Sequence, residues 1–312
     1  MKLIVTFCSL FIISVINGQN DFKIITSVVD SYPMESPATG EILFSSNRTG
    51  IYQIYKSNNE GDNIIPLTNS QGGNYTPVWS PDGSRIVFAS ERDNDSEIYI
   101  MNADGGNQVR LTNILGDDSH PKFSPDGRRI IFNSPRSTPD LSIAWVLQYH
   151  EIYTMDLDGG NLKQHTSFKS IATYPSYSPD GNKILFRLAE KEKALNWSLK
   201  PSDYNSEVYL MNVDGSDLRN LSNSDAFDGW PFWHPSSKKI FFTSNRGGVP
   251  NKGQLYSINL KNSNLEKISE NQNSFIQASF SRDGKYIFAQ RNYETDEYEY
   301  GQIIKIEYQY IR

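Results

Sequence analysis

The sequence of 312 residues has a single cysteine, Cys8, and no block of basic residues. One cysteine excludes an intrachain disulfide and any zinc site built from several thiolates. Lys and Arg number 30 against 36 Asp and Glu, and the resulting formal net charge of −6 argues against a nucleic-acid partner, because phosphate contacts need clustered cations. The sequence also lacks a Gly-x-Ser-x-Gly elbow, a His-Glu-x-x-His helix and a phosphate loop. We therefore predict no catalytic residue, no cofactor and no metal.

Long apolar runs are absent except at the start of the sequence. Lys2 precedes an apolar run from Leu3 to Ile16, and Gly18 closes it. This layout is typical of a secretory signal peptide, and the run is shorter than a bilayer-spanning helix requires. We predict a signal peptide over 1–18, a single mature domain over 19–312 and a periplasmic or secreted location, with an uncleaved anchor as the alternative. Without 1–18 the mature chain has no cysteine, which fits a bacterial envelope better than a disulfide-rich eukaryotic secretion route.

A twelve-residue pattern recurs six times along the chain. Its intact form reads Pro-Val-Trp-Ser-Pro-Asp-Gly-Ser-Arg-Ile-Val-Phe and occupies 77–88. The copies start at 33, 77, 121, 175, 231 and 278. Each copy predicts four strands: strand A ends before the Pro-Asp-Gly turn, strand B is an apolar run, strand C carries Glu-Ile-Tyr or a variant, and strand D carries Leu-Thr-Asn or a variant.

A unit of four strands cannot bury both of its faces alone, so repeated units of this kind stack radially into a β-propeller. The last copy supplies only three strands before the chain ends, and Phe22–Ser27 matches the missing strand D. The fold class predicted is therefore all-β: one six-bladed β-propeller of four-stranded blades, closed by an N-terminal strand that completes the last blade. We expect a monomer.

The Ser-Pro-Asp-Gly turn, the Glu-Ile-Tyr-x-Met strand and the Leu-Thr-Asn sequel resemble the WD40-like repeats of TolB-type propellers. The resemblance covers nearly all of 19–312. It implies a rigid propeller that binds another protein, since TolB is a periplasmic scaffold of the Tol–Pal envelope system. TolB also carries a separate N-terminal α/β domain, whereas only 19–32 precede the first repeat here, so the expectation covers the propeller alone.

Candidate binding residues lie where the repeats differ from one another. The longest insertions connect strands B and C, and Trp145 and Trp197 lie in those of the third and fourth copies. The residue before each strand-A proline, or its equivalent, should ring the mouth of the central channel on the same face, with Asp118 and Asp228 two residues earlier. This ring consists of Tyr32, Thr76, His120, Tyr174, Trp230 and Gln277. Because these positions vary within a uniform repeat, they favour a polar and aromatic binding funnel; the alternative is a solvated channel without a ligand.

The main functional hypothesis is a non-enzymatic, exported propeller that binds a protein or peptide partner in the bacterial envelope. The alternative is a propeller that binds or degrades carbohydrate, with a metal at the channel mouth near His120, His150 and Asp118. A third possibility is a sensor module that acts on a separate hydrolase. Replacing Trp197 or Trp230 with alanine is expected to abolish partner binding without loss of stability.

Overall fold

The computed structural model describes residues 22–24, 28–189, 206–247, 252–269, 274–294 and 299–308. In these ranges 24 strands form six antiparallel sheets of four strands each, which confirms the all-β six-bladed propeller. The predicted signal peptide lies outside the described residues. One short 3-10 turn, Trp145–Leu147, interrupts the strands of the described ranges.

The blades follow one another around the ring in chain order. Blades 1 to 3 consist of β2 (Asp30–Glu35), β3 (Ile42–Ser46), β4 (Gln53–Ser57), β5 (Ile65–Pro66); β6 (Asn74–Trp79), β7 (Arg85–Asp93), β8 (Asp95–Asn102), β9 (Val109–Arg110); and β10 (Ser119–Phe123), β11 (Arg129–Ser134), β12 (Glu151–Asp156), β13 (Lys163–Gln164). Blades 4 to 6 consist of β14 (Ile171–Tyr177), β15 (Lys183–Ala189), β16 (Ser206–Asn212), β17 (Arg219–Asn220); β18 (Asp228–Trp233), β19 (Lys239–Ser244), β20 (Gln254–Asn259), β21 (Leu265–Lys267); and β22 (Ser274–Phe280), β23 (Tyr286–Glu294), β24 (Glu299–Glu307), β1 (Phe22–Ile24).

The N-terminal strand closes the ring as predicted. Strand β1 pairs antiparallel with β24, with Phe22 opposite Ile306 and Ile24 opposite Ile304. Blade 6 therefore combines both ends of the described chain, and its inner strand β22 contacts β2 of blade 1. A closed ring leaves no interior sheet edge open to another strand.

Strand B forms the core of each blade because both of its faces are covered by neighbouring blades. In blade 2, Ile86, Val87 and Phe88 are all fully buried. Ile86 and Phe88 pack toward blade 1 with Leu43, whereas Val87 packs toward blade 3 with Ile130. A strand covered in this way reads as a continuous apolar run rather than an alternating one, which explains the Ile-Val-Phe signature.

The Glu of strand C and the Thr of strand D bind to each other and so fasten the outer strand. In blade 2 the Thr112 hydroxyl donates to the Glu97 carboxylate at 2.5 Å and accepts from the Ile98 backbone N–H at 2.9 Å. The same Glu97 accepts from the Ile114 backbone N–H at 2.8 Å. The short β9 is thus held by side-chain bonds as well as by its sheet pairing. The recurring Glu-Ile-Tyr and Leu-Thr-Asn motifs are two parts of this one structural device.

The Ser-Pro-Asp-Gly motif forms the turn between strands A and B. The Ser80 hydroxyl donates to Asp82 at 2.6 Å and accepts from the Arg85 backbone N–H at 2.9 Å. Gly83 has a φ of +72°, a value that glycine adopts without steric cost. These contacts hold the pKa of Asp82 down at about 2. Asp82 therefore stabilises the turn, and it is a structural residue of the face that carries the short, regular turns.

Candidate binding site at the channel and the loop face

All six predicted ring residues occupy a β-bulge of the innermost strand of their blade. The register with strand B shifts at this point in every blade. A bulge re-aims a side chain, and its left-handed backbone is costly for residues other than glycine. The six φ angles lie between 49° and 56°, at Tyr32, Thr76, His120, Tyr174, Trp230 and Gln277.

Tyrosines from opposite sides of the ring meet across the channel. Tyr32 belongs to blade 1 and Tyr174 to blade 4, which face each other in a ring of six. Their hydroxyl oxygens lie 3.4 Å apart, within hydrogen-bond distance. Burial and the neighbouring phenol raise the pKa of Tyr32 well above its usual range, so the hydroxyl stays protonated. The channel is therefore filled by side chains at the level of the bulges.

Aromatic packing extends this closure around Tyr174. The His120 ring centroid lies 3.8 Å from that of Tyr174, and the Trp230 centroid lies 6.4 Å away. Trp230 and Tyr174 are each only 9% exposed and cluster with Phe227 and Ile276. Trp230 is thus a packing residue, and its replacement by alanine must lower stability. The expectation from sequence that Trp230→Ala leaves stability unchanged does not fit a buried side chain that packs on other aromatic rings.

His120 is held as a neutral imidazole. The Ser119 hydroxyl accepts from the Asn133 amide NH₂ at 2.9 Å, which turns the amide oxygen of Asn133 toward His120 Nδ1 at 2.8 Å. Nδ1 therefore carries the proton and donates. Burial lowers the pKa of His120 to about 3, with smaller contributions from the positive charges of Arg187 and Lys122.

A buried arginine beside this cluster escaped the sequence reasoning. Arg187 is fully buried, and its guanidinium lies 5.3 Å from the ring centroid of Tyr174 and 5.7 Å from that of Phe227. Gly229 of blade 5 lies against Arg187 and makes room for Phe227, because a Cβ there would lie 2.6 Å from the Phe227 ring and 3.4 Å from Arg187 Cδ. Burial lowers the pKa of this guanidinium. A charged residue directly after the Phe of strand B is the signal that sequence analysis could have used.

Asp118 and Asp228 do not reach the channel mouth; each is buried in an ion pair within its own blade. Arg136 Nη2 lies 2.6 Å from Asp118 Oδ2, and Arg246 pairs in the same way with Asp228. Burial raises the pKa of Asp118 to about 6, while Arg136 opposes this shift. These carboxylates are fully buried structural groups and are not available to a ligand in the channel.

The ion pair recurs in blades 1, 3 and 5, and in blade 2 an asparagine takes the place of the aspartate; we call this arrangement the arginine clasp. The arginine also donates from Nε to a serine hydroxyl two residues earlier, and its guanidinium lies over the Phe of strand B and the Tyr of strand C. The clasp consists of Asp30, Ser46 and Arg48 in blade 1; Asn74, Ser90 and Arg92 in blade 2; Asp118, Ser134 and Arg136 in blade 3; and Asp228, Ser244 and Arg246 in blade 5.

The two histidines near the channel are committed to other contacts. Trp145 stacks on His150 with ring centroids 4.0 Å apart, and His150 Nε2 lies 3.4 Å from the Trp145 carbonyl oxygen. Burial lowers the pKa of His150 to about 4. In the described ranges no group of three or more His, Cys, Asp or Glu side chains is placed to hold a metal ion. With Asp118 bound to Arg136, the metal arrangement considered from sequence does not fit these residues.

Exposed apolar side chains lie on the face of the long loops. Leu115, in the connection from blade 2 to blade 3, is 67% exposed, and Leu147, in the blade 3 insertion, is 47% exposed. The two loops touch, since a Cβ at Gly116 would lie 2.9 Å from Pro135 and 3.4 Å from Leu141. Trp145 sits beside Leu147 and is partly buried. Trp197, predicted for the same face, lies outside the described residues.

These features define a closed six-bladed propeller whose turn face is regular and whose loop face carries insertions and exposed apolar side chains. The chain matches the TolB beta propeller domain over 62–142 and 189–304, more than half of its length. It therefore belongs to the TolB beta propeller domain family. The resemblance seen in the repeats is confirmed.

Curated relatives include a TolB homolog of Chlorobium chlorochromatii, 29% identical over 31% of this chain and 29% of that protein. The Tol-Pal system protein TolB of Francisella tularensis is 29% identical over 44% of this chain and 28% of that protein. The aligned parts thus span less than a third of each relative.

Solved structures share the fold along most of the chain. A TolB from Agrobacterium tumefaciens has a TM-score of 0.65 at 21% identity and covers 90% of this chain and 91% of its own. An oligogalacturonate lyase in complex with manganese has a TM-score of 0.59 at 12% identity and covers 94% and 95%. Identities this low show the fold alone. In the described part of the chain, no helix is long and apolar enough to cross a membrane.

Proposed function

We propose that this chain is a non-enzymatic, exported propeller that binds a protein or peptide partner in the bacterial envelope. The contact surface of the proposal is the loop face around Leu115, Trp145 and Leu147, with the closed channel mouth at its centre. Relatives named as Tol-Pal system proteins support an envelope location and a protein partner.

The observation that carries the proposal is the pair of exposed leucines on touching loops of a rigid scaffold. Leu115 and Leu147 are on connections that pack together through Gly116 and Leu141. The insertion is anchored by its own polar contacts, since Gln148 donates to the Leu141 and Ile143 carbonyl oxygens at 3.1 and 3.0 Å. Pre-ordered apolar surface loses little entropy on binding, and adjoining exposed apolar side chains mark a surface suited to an interaction.

The experiment is affinity capture of an envelope partner, followed by a binding titration with that purified partner. Leu147→Glu places a charge in the contact surface and is expected to weaken binding at least tenfold. Leu162→Glu is the matched control, because Leu162 is 46% exposed but lies in a turn on the opposite face. Both variants should keep the unfolding midpoint of the wild type, because both positions are exposed.

Equal binding by Leu147→Glu and wild type would contradict this surface. Capture that fails for wild type, together with binding to uronic-acid oligosaccharides, would instead favour the carbohydrate alternative. That alternative would have to work without the metal arrangement of His120, His150 and Asp118, which the geometry does not support.

A further inference from the structure

Four basic side chains lie close together in the inner part of blades 3 and 4. They are His120, Lys122, His150 and Arg187, and both His120 and Arg187 pack on the ring of Tyr174. Burial lowers the pKa values of His120 and His150, and the positive charge of Arg187 lowers both further. Both imidazoles are neutral at pH 7, because their pKa values are about 3 and about 4. Lys122 and Arg187 therefore supply the positive charge of this cluster.

Lys122 is the member of the cluster without a counter-ion in the described part of the chain. It follows His120 by two residues on β10, toward the turn face, and is partly buried. Burial lowers the pKa of its ammonium to about 8, so the group is still mostly charged at pH 7. No hydrogen bond or ion pair reaches this ammonium from any described residue. Other lysines, such as Lys56 with Glu41, do have acidic partners.

A buried cation is costly unless an anion or hydrogen-bond acceptors compensate it. The chain as a whole carries a net charge of −6, so the positive charge at its centre is contrary to the overall balance. A low-dielectric channel concentrates the field of such charges. Two cationic side chains at the centre of the propeller therefore favour an anion there.

Some buried polar atoms of the inner strands have free hydrogen-bonding capacity. Among the described residues, Thr76 Oγ1, Thr173 Oγ1 and Trp230 Nε1 are buried and have no hydrogen-bond partner. Thr76 and Trp230 are bulge residues, and Thr173 pairs with Arg187 across β14 and β15. A hydroxyl or an indole N–H can donate to an oxyanion. Buried polar atoms without partners are rare, and several at one level of a fold indicate an additional binding group.

We propose that the closed channel holds a small oxyanion, a carboxylate or a phosphate group, bound by the Lys122 ammonium in the field of Arg187. The residues of this site are not those of the surface around Leu115, Trp145 and Leu147, so the proposal does not depend on the protein partner proposed above. An ammonium and neutral donors suit an oxygen anion better than an apolar ligand or a metal.

Thermal unfolding of the full chain at pH 7 tests the anion site. The protein is heated in sodium acetate, sodium phosphate and sodium chloride of equal ionic strength. Ligand that binds only the folded state raises the midpoint, and an anion at about ten times its dissociation constant raises it by about 3 °C. We expect this gain in acetate or phosphate relative to chloride, and the salt that gives the larger gain identifies the type of oxyanion.

Lys122→Met provides the decisive variant because it keeps the length of the side chain and removes the charge. The oxyanion gain should disappear, whereas the midpoint in chloride should equal or exceed that of wild type, since an apolar group replaces a buried cation. Lys285→Met is the matched control and should keep the full gain, because the Lys285 side chain is 73% exposed. Identical wild-type midpoints in all three salts, or a full gain in Lys122→Met, would overturn the proposal. Lys122→Gln serves the same comparison if the methionine variant does not fold.

Discussion

Blades 3 and 4 are neighbours with the same backbone, yet they place their arginines in opposite ways. In blade 3, Arg136 follows the last residue of strand B by two positions, and Asp118 of the same blade neutralises it. In blade 4, Ala172 replaces the aspartate, and Arg187 comes two residues after Leu185 on strand B, where it packs against Tyr174. The first arrangement binds the arginine to an aspartate of its own blade, and the second places it beside the aromatic side chains of the channel.

The difference shows how a repeat separates structural residues from specific ones. The clasp is present as a unit in blades 1, 2, 3 and 5, and blades 4 and 6 carry Ala172 and Phe275 at the position of its acidic or amide member. In a blade with the clasp, the arginine is therefore bound by residues of its own blade. Blade 4 lacks the clasp, and its Tyr174 and Arg187 lie at the centre of the ring, where Arg187 contacts Gly229 of blade 5. The residues of blade 4 that depart from the repeat are therefore found at the centre of the ring.

The largest expected effect comes from breaking a clasp on one side. Asp118→Ala leaves Arg136 partly buried without its counter-charge, and such a loss costs about 3 to 5 kcal/mol of unfolding free energy. Denaturant unfolding measures this cost directly. The double variant Asp118→Ala with Arg136→Met imitates blades that lack the clasp and should recover at least half of the loss. A double variant as unstable as the single one would contradict the clasp as a unit.

Trp230→Ala is expected to have the second largest effect. The side chain is 9% exposed and packs on Phe227 and Tyr174, so its removal leaves a cavity and costs about 3 kcal/mol. Leu147→Ala, at an exposed position, is the control and should cost less than about 0.5 kcal/mol. A stable Trp230→Ala protein would show that the closure of the channel is looser than its geometry indicates.

The sequence predicted the blades and the closing strand, because these depend on local periodicity. It also singled out six equivalent positions of strand A, but not the β-bulges in which they lie. It did not predict that Tyr32 and Tyr174 meet, since a distance across the ring depends on the channel width and on side-chain length. The clasp could have been found: Asp30 and Arg48 are 18 residues apart, as are Asp118 and Arg136. The sequence analysis assigned Asp118 and Asp228 to the channel mouth and so did not use this constant spacing.

A smaller effect should follow from removing the contact across the channel. Tyr174→Phe keeps the ring that packs on His120 and Trp230 and removes the hydroxyl opposite Tyr32. One hydrogen bond between phenols contributes about 1 kcal/mol, and denaturant unfolding should show a loss of that size. Tyr153→Phe in the core of blade 3 gives a comparison at a tyrosine that is not part of the closure. A Tyr174→Phe loss as large as that of Trp230→Ala would contradict the separation of packing and hydrogen bonding made here.

The smallest effects concern pH, and the turn aspartate and the clasp aspartate should act in opposite directions. Bonds from Ser80 and Ser84 lower the pKa of Asp82 to about 2, so its contribution is present above pH 4 and is lost as pH falls toward 2. Burial raises the pKa of Asp118 to about 6, so the folded state binds this proton more tightly than the unfolded state. The contribution of Asp118 to folding stability therefore declines as pH rises from 4 to 6.

Unfolding midpoints measured across pH 2 to 7 test both aspartates. Asp82→Asn should flatten the pH profile of the midpoint below pH 4, while Asp118→Asn should flatten it between pH 4 and 6. Because Asp82 is exposed and water screens its interactions, its change should be the smaller one. A wild-type pH profile retained by both variants would assign the pH dependence of stability to other carboxylates of the chain.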